Sequence, residues 1–277
     1  MTILCIETST SVCSAAICKD GAPVKQCINT EGSNHARLLP LYIDELLAYA
    51  REQALTIDAV ALSEGPGSYT GLRIGTSTAK GLCYGLNLPL IPVPTLEVLC
   101  EAAKFQFTIH NSQFTIYNSQ ITNSVLVPMI DARRMEVYTA IYNLQFTIHN
   151  SQYTIHNSQY TIHNSSCTKA RAVVVESEES FSEESLYSVS EQSERSVRCQ
   201  SEGRSYYYFG DGAAKCQSVL TSENWHYLPG IVPEAQYMGA LAESSRQSAI
   251  SGQQLAYYEP FYLKEFVAAQ SHVKGLK

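Results

Sequence analysis

The segment Gly65-Pro-Gly-Ser-Tyr-Thr-Gly-Leu-Arg-Ile-Gly75 places four glycines within eleven residues, directly after the apolar run Asp58-Ala-Val-Ala-Leu62. A short apolar run bounded by Gly and Pro reads as a buried strand, and the glycine loop after it opens a helix predicted from about Thr70 to Leu86. In that helix Gly71, Gly75, Ala79 and Cys83 recur at every fourth residue, as do Gly81 and Gly85. Glycine costs a helix about 1 kcal/mol relative to alanine, so a face lined with it calls for close approach by another backbone. That neighbour is either an element of the same domain or a helix of another chain, and the spacing leaves both open.

The remaining chain alternates strands and helices, which points to an α/β fold. Thr2 to Ile6 and Ser14 to Cys18 read as apolar strands joined by the polar turn Glu7-Thr-Ser-Thr-Ser11, with a third strand around Val24 to Ile28. From Arg37 to Ala50, apolar residues recur at helical spacing over more than one narrow stripe, so this helix needs cover on two sides. Pro89 to Pro94 is strand-like, and Thr95 is a candidate N-cap. Val125 to Ile130 and Glu136 to Tyr142 form an expected strand pair around Asp131-Ala-Arg-Arg134, and Val173 to Val175 a further strand. Residues 176–204 are rich in Ser and Glu, with a short helix expected near Phe181 to Val189. Tyr206 to Phe209 is a strand running into the tight turn Gly210-Asp-Gly212, and a helix is expected from about Ala235 to Arg246.

A seven-residue unit interrupts this pattern: Phe107-Thr-Ile-His-Asn-Ser-Gln113 returns from Phe114, Phe146, Tyr153 and Tyr160. Its apolar positions lie two apart, so it builds no coiled-coil seam, and its odd period turns successive copies to opposite faces of an extended chain. The two blocks, at about 105–124 and 145–166, read as strand-like, solvated or loosely paired insertions. They hold four of the seven histidines (110, 149, 156 and 163), at a spacing that gives no helical metal pair. The expected organisation is a first subdomain over 1–104 and a second over 125–277.

A formal charge of −7, with no basic block longer than Arg133-Arg134, argues against a chain that grips nucleic acid unaided. The first residues lack a basic region and a long apolar core, so no signal peptide is expected, and no run approaches the roughly 20 apolar residues of a membrane span. Nine scattered cysteines without a C-x-x-C pair read as reduced, buried thiols.

Specific chemistry is sparse. Gly65-x-Gly67-x-x-x-Gly71 misses the G-x-G-x-x-G spacing by one residue and lacks the Lys-Ser/Thr of a P-loop. The Glu7 to Ser11 turn offers hydroxyls and backbone N–H groups to a phosphate, or is an ordinary polar turn. Asp131 with Arg133 and Arg134 is a polar turn or a binding contact. No two histidines stand three or four residues apart, and no nucleophile grouping stands out, so no catalytic residue and no metal ligand is assigned.

Met1 to Gly21, Asn34-His-Ala-Arg-Leu-Leu-Pro40, Gly65 to Gly75, Pro94-Thr-Leu96, Ile130-Asp-Ala-Arg133, Gly210-Asp-Gly-Ala213 and Pro260 to Leu263 together resemble the TsaB (YeaZ) family, the dimerisation subunits of the bacterial tRNA threonylcarbamoyladenosine machinery. The resemblance implies an actin-like ATPase (ASKHA/RNase H-like) fold of two related subdomains. It implies a non-catalytic scaffold that binds a TsaD-type catalytic paralogue, meets a TsaE-type ATPase through the complex, touches tRNA only indirectly, and forms a homodimer when its partner is missing. It also implies a cytoplasmic chain with no membrane contact.

Carried onto this sequence, the partner face comprises His35, Leu38, Leu39, Tyr42, Ile43 and Leu46 of the first helix. From the second it takes Gly71, Leu72, Arg73, Gly75, Thr78, Ala79 and Leu82. On this reading Gly75→Leu weakens docking and leaves the fold intact. Thr8, Ser9, Thr10, Gly210, Asp211 and Gly212 correspond to a vestigial nucleotide site, with Glu7 standing where related hairpins more often carry Asp. No cofactor is assigned to this chain, and Mg-ATP belongs to the complex. The alternative is an ATP-dependent transferase or kinase acting on its own through the two turns.

Overall fold

The computed structural model describes residues 1–32, 34–109, 124–143, 169–181 and 204–264. Five strands, Thr2–Glu7 (β1), Cys13–Lys19 (β2), Ala22–Asn29 (β3), Ala59–Gly65 (β4) and Leu90–Pro94 (β5), form a sheet in the order β3-β2-β1-β4-β5. β1, β2 and β3 pair antiparallel, whereas β4 and β5 run parallel to β1. The parallel strands are connected through helices His35–Glu52 (α1) and Tyr69–Leu86 (α2), the crossovers that parallel pairing requires.

Pleating explains why these strands are apolar throughout. Leu4, Ile6, Val60, Leu62 and Leu90 point to one face, where Leu39, Ile43 and Leu46 of α1 and Ala79 and Cys83 of α2 cover them. Ile3, Cys5, Ala59, Ala61, Ile91 and Val93 point to the other. A sheet covered on both faces reads as continuous hydrophobic runs, as the sequence does.

The second sheet repeats this plan. Its strands are Ser124–Asp131 (β6), Glu136–Thr139 (β7), Tyr142–Asn143 (β8), Arg171–Val174 (β9), Ser205–Phe209 (β10) and Trp225–Leu228 (β11). Their order, β11-β10-β6-β7-β9 with β8 beside β6, again sets an antiparallel trio against two parallel strands. The duplication bears out two related subdomains. Between β10 and β11, where the first half has α2, the second has only the short turn Ala214–Cys216.

Helix Thr95–Ile109 (α3) joins the halves. Its Val98 packs with the first sheet, while Leu96, Leu99, Cys100 and Ala103 pack against Leu126, Ile130, Tyr142 and Phe209 of the second. The chain then returns: Ala235, Met238, Leu241 and Ala242, around helix Gly239–Ser244 (α4), seal the open face of the first sheet. Leu255 of helix Gln253–Tyr257 (α5) joins the α1/α2 side. Residues 235–257, which the sequence groups with 125–277, therefore pack on the first sheet.

Several expectations change. The first repeat block does not begin as an extended insertion, because α3 continues through Phe107-Thr-Ile109. The rest of that block, and 144–168 of the second, lie outside the described residues. The expected helix near Phe181 to Val189 falls mostly outside them too; what is described is a short turn of helix at Glu178–Phe181 that buries Phe181 against Trp225. The Ala235 to Arg246 helix is broken into the turn Ala235–Met238, α4 and the turn Arg246–Ser248. Strand β11 has no counterpart in the sequence expectations; Trp225-His-Tyr-Leu228 is nevertheless an aromatic, β-prone run, and it pairs residue for residue with Tyr206 to Phe209.

Candidate functional site

In each half, the loop after the strand that runs parallel to the first (β4 and β10) lies against the end of that first strand and the turn that follows it. In the first half that loop is glycine-rich because only glycine fits. A Cβ on Gly67 would stand 2.3 Å from the Ser9 carbonyl oxygen, one on Gly71 2.0 Å from that of Thr8, and one on Gly75 2.3 Å from Thr8 Oγ1. In the second half a Cβ on Gly210 would stand 2.2 Å from the Met129 carbonyl oxygen, at a φ of +106° that already favours glycine.

The first hairpin is buried and bonded through its backbone and threonines, while Ser9 Oγ and Glu7 Oε2 are left without a partner among the described residues. Thr8 and Ser9 are wholly buried and Thr10 nearly so. Thr8 Oγ1 donates to the Gly71 carbonyl (2.9 Å), the Ser9 N–H donates to Glu7 Oε1 (2.6 Å), and the Val12 N–H donates to Thr10 Oγ1 (3.3 Å). The Ser68 N–H takes the Ser9 carbonyl at 2.6 Å. Burial pushes the Glu7 carboxyl above its usual range, hydrogen bonding from Ser9 works against this, and the nearby Asp211 charge adds to it. Glu7 at the base of the first turn and Asp211 of the second are therefore close enough for one charge to act on the other.

The opposing turn is a polar knot. Asp211 Oδ1 accepts the Asp131 N–H (3.0 Å), and the Gly212 N–H donates to the Met129 carbonyl (3.0 Å). Lys215 pairs with Asp131 and donates to the Glu136 carbonyl (2.7 Å). Arg133 and Arg134 occupy the left-handed region, φ 68° and 51°, which makes Asp131-Ala-Arg-Arg134 a tight turn. Among the described residues no cluster of three His, Cys, Asp or Glu side chains suits a metal ion.

The sequence-assigned partner residues divide by burial. Leu38, Tyr42, Arg73, Thr78 and Leu82 reach the surface at least in part. His35, Leu39, Ile43, Leu46, Gly71, Leu72, Gly75 and Ala79 are buried within this chain. His35 Nε2 is hydrogen-bonded to the Val12 carbonyl at 3.1 Å, and the Gly71/Gly75 face meets the Thr8 hairpin. These eight residues pack inside this chain, so the surface of the two helices is made by others. The reason is that α2 turns its first small-residue stripe inward, so the intrachain alternative is the one realised.

The outward stripe of α2 is different, and of its residues only Arg73 is among the sequence-assigned partner contacts. Arg73, Ser77, Gly81, Tyr84 and Gly85 are exposed, Tyr84 at 88%, and a Cβ on Gly81 or Gly85 would meet nothing within 4 Å. Leu86 (48% exposed) ends this stripe, and Leu41 (62%) stands out from α1. The second glycine series, Gly81 and Gly85, was the available signal. Ser68, not Thr70, begins the helix as its N-cap, its Oγ accepting the Gly71 N–H at 3.3 Å. Thr95 is not a cap: it is the first residue of α3, and its hydroxyl is hydrogen-bonded to Ser63 Oγ at 2.6 Å.

Over residues 29–268 the chain matches the family model described as TsaD: tRNA N6-adenosine threonylcarbamoyltransferase. It is 36% identical over 138 residues to the tRNA threonylcarbamoyladenosine biosynthesis protein TsaB of Haemophilus influenzae, covering 50% of this chain and 52% of that protein. To the Bacillus subtilis protein of the same name it is 31% identical over 143 residues, covering 51% and 55%. The chain thus spans about half the length of these curated relatives. The structure of YeaZ from Pseudomonas aeruginosa superposes with a TM-score of 0.62 at 22% identity, over 95% of this chain and 99% of that one. That likeness establishes the two-subdomain actin-like fold. Because the family model covers most of its length, the chain belongs to the TsaD, tRNA N6-adenosine threonylcarbamoyltransferase, family, and within it is similar to proteins named TsaB.

Proposed function

We propose that this chain is a non-catalytic subunit of a tRNA threonylcarbamoyladenosine system, and that it docks a TsaD-type catalytic paralogue on the outward faces of α1 and α2. Similarity to proteins named TsaB supports the process. The observation that carries the docking face is the exposed stripe Ser77, Gly81, Tyr84 and Gly85 of α2, with Leu41 exposed on α1: small residues admit a close helix, and an exposed tyrosine supplies an anchor.

Catalysis is assigned to the paralogue. In support, the Thr8 hydroxyl donates to the Gly71 carbonyl of α2 and the Ser9 N–H to Glu7, so neither is free to hold a phosphate. Mg-ATP, a TsaE-type ATPase and tRNA belong to the assembled complex on this reading, and a homodimer through the same face forms when the paralogue is missing. No helix among the described residues is long and apolar enough to cross a membrane, in keeping with a cytoplasmic site of action.

Size-exclusion chromatography with light scattering, on this chain mixed with the TsaD-type paralogue of the same genome, tests the proposal. A peak at the heterodimer mass is expected. Separate elution at micromolar concentrations overturns it and favours the lone ATP-dependent enzyme.

A further inference from the structure

A groove of about 310 Å³ runs between α2 and the chain segment after α5, lined by Arg73, Thr76 and Lys80 on one side and Tyr258, Glu259 and Tyr262 on the other. Its cations come from the α2 side, and the other side carries Glu259. Lys80 Nζ donates to the carbonyls of Ala256 (2.7 Å) and Tyr258 (3.2 Å), which ties the segment to the helix and leaves one ammonium proton unassigned. The Arg73 guanidinium lies over the Tyr69 ring, 5.4 Å from its centroid, and donates to the Tyr69 hydroxyl at 2.7 Å, leaving most of its five N–H groups outward. The hydroxyls of Thr76 and Tyr258 are buried and have no hydrogen-bond partner within the chain. Both residues line the groove, but these two oxygens are closed off from solvent, so the groups it offers to an incoming acceptor are those of Arg73 and Lys80.

We infer that this groove receives the carboxylate of an aspartate or glutamate from the protein that docks on α2, an inference that rests on the docking reading above. A carboxylate is the protein acceptor that pairs most strongly with an ammonium and a guanidinium placed side by side. The placement favours a protein side chain: Tyr69, Arg73, Lys80 and Tyr84 fall on a single stripe of the helix, so the groove is continuous with the exposed docking face. Glu259, on the rim, discriminates against a free polyanion and leaves room for a single carboxylate held by the rest of an interface.

The test is the affinity of the full chain for its purified TsaD-type paralogue, measured at low and high NaCl for the wild type and for Arg73→Gln, Lys80→Gln, Thr76→Val and Lys80→Arg. Circular dichroism establishes that each variant is folded. Loss of either charge is expected to weaken binding by about tenfold and to flatten its salt dependence, Thr76→Val, whose hydroxyl is closed off from the groove, to leave both unchanged, and Lys80→Arg to keep most of the affinity. A complex of wild-type affinity and unchanged salt dependence in Arg73→Gln and Lys80→Gln overturns the carboxylate site and leaves the docking reading standing. Absence of any complex with the wild type overturns both. Tight binding of inorganic phosphate to the isolated chain, abolished by Arg73→Gln while docking is unaffected, also overturns it, because the groove then serves a free anion.

Discussion

Gly75 and Thr8 stand so close that a single added carbon, a Cβ on Gly75, would lie 2.3 Å from Thr8 Oγ1. That oxygen is fixed by its own hydrogen bond to the Gly71 carbonyl, and Thr8 is fully buried, so it has nowhere to go. Helix α2 and the β1–β2 hairpin are therefore locked together by what glycine lacks. Gly75→Ala should destabilise the chain by about 3 kcal/mol, as overpacking at a rigid contact does, read as a lowered urea midpoint at constant slope. Gly75→Leu then reports on folding, and the sequence-based use of it as a docking probe fails.

Gly81, one and a half turns further along α2, provides the contrast. A Cβ there meets nothing within 4 Å. Gly81→Ala should stabilise the chain by about 0.5–1 kcal/mol, through the helix-propensity difference, in the same urea experiment.

What could be read from the sequence, and what could not, divides along this pair. Every-fourth-residue spacing showed that Gly71, Gly75, Ala79 and Cys83 share a face and that this face needs a close neighbour. Which neighbour is a tertiary fact, decided by the Thr8-Ser9 hairpin 60-odd positions earlier, and helical spacing carries no information about it. The buried strands of the first half were legible because both sheet faces are covered and their side chains are apolar throughout. In the second half the crossover corresponding to α2 shrinks to Ala214–Cys216, so the helical signal that would have framed β11 is absent there. Phe107-Thr-Ile109 looked like a strand in isolation, yet it continues a helix already begun at Thr95.

Glu97 gives the fold a pH dependence. Burial first, then the charges of Glu64 and Glu101, raise its carboxyl to about 6. The folded state thus holds a proton that the unfolded chain releases near its ordinary value, so this residue lowers stability as pH rises from about 4.5 to about 6 and keeps it lowered above that. Glu97→Gln should raise stability at pH 7 by about 1–2 kcal/mol and make no difference near pH 4, measured by denaturant unfolding at both values.

Nucleotide should find no tight site in this chain alone. The Ser9 N–H is held by Glu7 at 2.6 Å, and the Thr8 hydroxyl by Gly71 at 2.9 Å. Calorimetric titration with Mg-ATP is expected to show no tight binding; a saturable micromolar isotherm would revive the independent ATP-dependent enzyme.

Tyr84, exposed at 88%, should act as an anchor of the docking face. Tyr84→Ala is expected to leave the unfolding transition within about 0.5 kcal/mol of the wild type and to weaken binding of the TsaD-type paralogue about tenfold or more, measured by calorimetry.

The outward stripe of α2 as the docking surface is tested most directly by the affinity of Gly81→Leu for the TsaD-type paralogue. The side chain points into open space in the isolated chain, so the variant should fold normally. The account predicts that such a folded variant loses the heterodimer peak, because the added bulk keeps the partner helix from approaching. A folded Gly81→Leu chain that binds the paralogue with wild-type affinity would contradict it.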